Sequence, residues 1–129
     1  MDGRAISAVA ALLAVILTVS ARTASAQDDP ATTQANRAAY QAAMKCFVVA
    51  GTATGERRDA GDTAKAEMYE TKARKAFDTA VRLAGMLGYD RDKVDQDFGL
   101  AQAQELPKMV KDIDYYRRSA ATCRAIGLL

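Results

Sequence analysis

Between Asp62 and Gly88 the chain places Ala66, Tyr69, Ala73, Ala76, Ala80, Leu83 and Leu87 at alternating steps of three and four. That spacing lines one face of an α-helix and no single face of a strand. Small and apolar residues recur at the same steps elsewhere, while strand signals are almost absent. The fold class expected is therefore all-α, a small bundle of about four helices. Asp62-Thr63 reads as the cap of this helix and Gly88 as its stop. Glu70, Arg74, Asp78 and Arg82 repeat every four residues on another face, which reads as a solvated, mutually paired surface.

The remaining helices follow from similar punctuation. Asp28-Asp29-Pro30 reads as an acidic cap with proline at the first helical position. The seam after it is Ala35, Ala39, Ala42/Ala43, Cys46 and Ala50, with a fray or bend expected in "GTATG", where Gly51 and Gly55 lower helix propensity. Gly61 marks a connection. A third helix is expected from Asp90, carrying Val94, Phe98, Ala101 and Leu106 inward until Pro107 ends or kinks it. The last shows Met109, Ile113, Tyr116, Ala120 and Cys123 on its seam and closes at Gly127.

The N-terminus sets the compartment. Residues 5–19, "AISAVAALLAVILTV", are uncharged and apolar, follow Arg4, and precede Ala24-Ser25-Ala26, a small-x-small cleavage pattern. Length, order and flanks match a secretory signal peptide over residues 1–26. The apolar run, about 15 residues, falls short of the roughly 20 a bilayer span needs. No cysteine follows it for lipid attachment, and a lone arginine points to ordinary export. The mature chain, 27–129, is expected to form a single helical domain, periplasmic or secreted after cleavage near Ala26. It contains no second run of membrane-spanning length.

Of 18 basic and 16 acidic residues, the leader removes Arg4, Arg22 and Asp2, leaving the mature part almost neutral. No nucleic-acid partner is expected on that balance. Arg57-Arg58 and Arg117-Arg118 with Arg124 read as solvated clusters beside acidic neighbours. Both cysteines, Cys46 and Cys123, lie in the mature part. An oxidising compartment favours joining an even set, and both sit on inward seams, so a disulfide between the first and last helices is expected. Buried free thiols or intermolecular pairing are the other readings. In an up-down-up-down bundle this link requires a long first helix or an incomplete reversal at Pro107.

The chain contains no histidine. That removes the commonest general acid/base, the Ser-His and Cys-His nucleophile systems and the commonest ligand for zinc and haem. An EF-hand beginning at Asp90 fails at Val94, Asp95 and Ala101, so "DRDKVDQDF" reads as a helix N-terminus. "GTATGERR" has the wrong glycine spacing for a phosphate loop and lacks Lys-Ser/Thr. Carboxylates are plentiful enough for glycosidic chemistry, but nothing marks out a pair. Neither an enzyme nor a cofactor is expected.

The first helix carries the one feature that suggests a contact. Between Arg37 and Glu56 the only charge is Lys45, and Tyr40, Met44 and Val48 form a second apolar stripe well round from Cys46, with Phe47 between the two faces. Either long side chains of neighbouring helices cover this stripe, or it is a surface for self-association or an envelope partner. The contact reading is carried forward. In plan alone the chain resembles the acid-stress chaperones of the bacterial periplasm, and no motif carries the resemblance. The function expected is a small exported, non-enzymatic binding or assembly protein of the cell envelope. A periplasmic stress chaperone, or an inhibitor or immunity-type protein of an envelope enzyme, is the alternative.

Overall fold

The computed structural model describes residues 29–129, and the expected leader, residues 1–26, lies outside them. Among the described residues are four helices and no strand: α1 Pro30–Asp59, α2 Thr63–Met86, α3 Arg91–Lys111 and α4 Ile113–Ala125. No helix among these residues is long and apolar enough to cross a membrane.

Each helix opens on an aspartate. The carboxylate of Asp29 accepts from the Ala31 amide, Asp62 from Lys65, Asp90 from Lys93, and Asp112 from both Asp114 and Tyr115. Such a cap contributes about 1 kcal/mol by engaging an amide that has no partner inside the helix. The expected stops hold too. At Gly88 (φ 70) and Gly127 (φ 76) the backbone turns left-handed. The next amide reaches back five residues, Tyr89 to the Ala84 carbonyl at 2.9 Å and Leu128 to that of Cys123 at 2.8 Å. That is Schellman closure, which favours glycine because no Cβ opposes the turn.

Two expected breaks are absent. Helix α1 runs unbroken through Gly51 and Gly55 to Asp59. Each glycine costs about 1 kcal/mol relative to alanine, but Val49, Ala50 and Ala53 beside them are buried. The hydroxyls of Thr52 and Thr54 also donate to the carbonyls of Val48 and Ala50 at 2.8 and 2.9 Å, within the helix. Helix α3 likewise continues through Pro107 to Lys111. An interior proline costs about 3 kcal/mol, and burial of Met109 just beyond it recovers much of this, at about 1.5–3 kcal/mol for such a side chain. The chain turns at Asp112 instead, one residue that ends α3 and caps α4.

These continuities decide the architecture. Helices α2, α3 and α4 all pack on α1, whose Ala43, Val49 and Ala50 have no exposed surface at all. Helix α2 runs antiparallel to it, pairing Arg58 with Glu70 at 2.7 Å and bringing Phe47 to Phe77 at 6.1 Å between ring centres. Helix α3 runs parallel, with Tyr40 bonded to Asp97 and Thr52 against the Met109 sulfur. Helix α4 returns antiparallel, Tyr116 lying within the field of Glu56 and Cys123 against Cys46. Phe98 joins Phe47 and Phe77 at 5.1 and 4.8 Å, locking α1, α2 and α3 together. Each such aromatic pair contributes about 0.5–1.5 kcal/mol beyond area burial.

Candidate functional site

Cys46 and Cys123 are bonded, with Cα atoms 5.6 Å apart and a sequence separation of 77. Both are 1% exposed. The long first helix is what places Cys46 opposite the end of α4, so the disulfide is a staple inside the core.

The stripe expected as a contact surface is part of the core. Tyr40, Met44 and Val48 are 2%, 5% and 4% exposed. The reason is α3, which lies parallel along this face of α1 and covers it with Val94, Phe98 and Met109. Tyr40 donates its hydroxyl to Asp97 at 3.0 Å and meets the Tyr89 ring edge-on at 5.3 Å. Burial, then the bond to Asp97, pushes the Tyr40 phenol far above its ordinary value.

Two carboxylates on α3 organise the α1–α3 seam in the same way. Asp97 accepts from Tyr40 and from the Lys93 ammonium at 2.9 Å, and that ammonium stands 4.7 Å over the Tyr89 ring. Its bond to Asp97 raises the Lys93 pKa. Two turns on, Glu105 accepts from the Tyr115 hydroxyl and from Lys108 at 3.1 Å, with Lys45 at 3.8 Å. Lys45 in turn stands 4.6 Å over the Tyr115 ring. Burial by itself would raise the Glu105 carboxyl, but the bonds from Tyr115 and Lys108 and the charges of Lys45 and Lys108 outweigh it and hold it below its ordinary value. A groove of about 480 Å³ runs between these clusters. Its carboxylates are each engaged by tyrosine and lysine, which makes them structural ties. Among the described residues no group of three or more Cys, Asp or Glu is placed to hold a metal ion.

The exposed apolar surface is elsewhere. Leu106 and Ile113, expected on inward seams, are 43% and 54% exposed, and Val110 is 71% exposed. The inward phase of α3 runs Val94, Phe98, Ala101, Glu105 and, past Pro107, Met109, and Leu106 falls outside it. Leu106, Val110 and Ile113 form one wall of a groove of about 590 Å³ whose other side is α1 at Gly51, Gly55 and Glu56. The clue in the sequence was the step of five from Ala101 to Leu106, which leaves the face carried by Val94, Phe98 and Ala101. Reading a break at Pro107 concealed it. No family model, curated protein or solved structure matches the chain.

Proposed function

We propose that the chain is exported on a leader removed near Ala26 and that residues 27–129 form one helical domain, periplasmic or secreted. In this reading it is a non-enzymatic binding or assembly protein of the cell envelope that works through the groove between the C-terminal halves of α1 and α3. The observation that carries the reading is the exposed apolar wall of Leu106, Val110 and Ile113 facing a floor without side chains at Gly51 and Gly55. Apolar residues gathered in one groove mark a place where another apolar surface is buried. The Cys46–Cys123 bond supports export, since such bonds persist in oxidising compartments.

Val110→Glu tests the surface. Its side chain is already in water, so the melting temperature is expected to stay within a degree or two, as for other exposed substitutions. Crosslinked capture from the native envelope is expected to lose what the unaltered protein retains there, another copy of the chain included. Capture identical for the two proteins would overturn the groove as the working surface. Intact mass of exported material is expected to show a chain starting near Gln27, and a stable full-length chain would refute cleavage. Suppression of client aggregation without any stoichiometric complex would replace this reading with the chaperone one.

A further inference from the structure

The groove beside Leu106, Val110 and Ile113 is graded along α1. Phe47 and Val48 stand at one end, Glu56 and Asp59 at the other, with Gly51, Thr52 and Gly55 between them. No cation among the described residues lines it. Arg57 and Arg58 of the same turn lie outside it, and Arg58 is held by Glu70 of α2 at 2.7 Å. Glu56 and Asp59 are exposed and engaged by no ion pair among the described residues. The groove at Tyr40 differs, because there Asp97 and Glu105 are each paired with a lysine of α3 itself. The two unpaired carboxylates also sit in the last turn of α1, where the helix dipole is negative. An apolar trough with acid at one end and no base complements a partner that is apolar along one face and cationic at one end.

The walls decide the form of that partner. Both are helices, whose backbone groups lie along the helix axes and not out into the groove, so an extended segment would find no ladder to join. A helix brings its own backbone bonds and offers side chains alone. From Phe47 to Asp59 the groove follows α1 for about 18 Å at 1.5 Å per residue, or about three turns of a docked helix. No atom of the fold lies within 4 Å of where a Cβ would stand at Gly51 or Gly55, so an arriving side chain has room against the α1 backbone.

We propose that this groove receives an amphipathic cationic helix of a partner protein. Its apolar face lies on Leu106, Val110 and Ile113, and its lysines or arginines meet Glu56 and Asp59. This rests on the groove being the working surface and adds the chemistry of what it holds.

The probes are two fluorescent peptides of four helical turns, with leucine on one face and either lysine or glutamate flanking it. Anisotropy titration of the oxidised protein, residues 27–129, is expected to give one saturable site for the lysine peptide. Its glutamate twin should bind about tenfold more weakly or worse. Glu56→Gln with Asp59→Asn should weaken the lysine peptide about three- to tenfold and the glutamate peptide not at all. Gly55→Leu, which fills the floor, should weaken it about tenfold without lowering the melting temperature. Asp78→Asn on α2, outside the groove, should leave binding unchanged. Equal affinity for the two peptides would overturn the proposal, since the carboxylates would then have no part in recognition. Indifference to Gly55→Leu, or equal loss from Asp78→Asn, would also overturn it by showing charge attraction without a site. If Val110→Glu abolishes capture from the envelope while the peptides bind alike or not at all, the cationic helix is ruled out and the groove reading stands. The same holds if what is captured is only a second copy of the chain. If neither peptide binds and capture is also unchanged, both fail.

Discussion

Met44 and Val110 receive opposite treatment from the same fold, and glutamate at each position reads the difference. Met44 is 5% exposed beneath α3, whereas Val110 is 71% exposed. A carboxylate at Met44 must lose its hydration or open the α1–α3 seam. Met44→Glu is therefore expected to cost several kcal/mol in a urea melt. A loss under about 1 kcal/mol would show that α3 does not cover this face in solution. The identity of Met44 as core was not legible in the residue itself. A methionine four residues from a tyrosine suits a contact stripe as well as an interior, and only the position of α3 separates the two.

At the scale of the element, α3 is held to α1 and α4 through carboxylates, and this makes its docking sensitive to acid. Glu105 has its pKa lowered in the fold, so the carboxylate binds protons less readily there than in the unfolded chain. The stability it contributes is present in full above the ordinary value of 4.5 and is lost as the pH falls through the lower folded value. Replacing it by Gln removes that dependence. At neutral pH Glu105→Gln is expected to destabilise by about 1–2 kcal/mol, a partly exposed charge-assisted cluster being screened by solvent. The gap between the two proteins should narrow as pH drops below 4.5. Urea melts at pH 7 and pH 3 check this, and a gap that widens in acid would mean the cluster does not favour the ionised form. Helix boundaries belong to the same scale. The aspartate caps and glycine stops were readable because a cap is made by residues within three or four positions of each other. Asp112 was missed because Pro107, a stronger local signal, stood five residues before it.

At the scale of the whole molecule the disulfide ties the central helix to the last one. In the chain-entropy account, closing a loop of 77 residues contributes roughly 4–5 kcal/mol by restricting the unfolded chain. That is comparable with the net stability of a small domain, about 5–15 kcal/mol. Cys123→Ser is expected to lower the denaturation midpoint by a corresponding amount, and reductant should do the same to the unaltered protein and nothing further to the variant. A variant as stable as the oxidised protein would show that α4 is held by Ala120, Leu128 and its other buried contacts alone. The sequence by itself determined what is local or periodic: four helices, the aspartate caps of the first three, the glycine stops of α2 and α4, the inward face of α2 and the inward position of both cysteines. Helical periodicity and caps depend on neighbours a few residues away, and those neighbours are written in the chain. The tertiary structure alone decided that α1 crosses Gly51 and Gly55 and that α3 crosses Pro107. In each case a backbone penalty of about 1–3 kcal/mol is set against burial on a distant helix, and its outcome depends on which surfaces meet. That outcome sets where α3 lies, covering Tyr40, Met44 and Val48 of α1 and leaving Leu106 and Val110 of α3 and Ile113 at the start of α4 out to solvent.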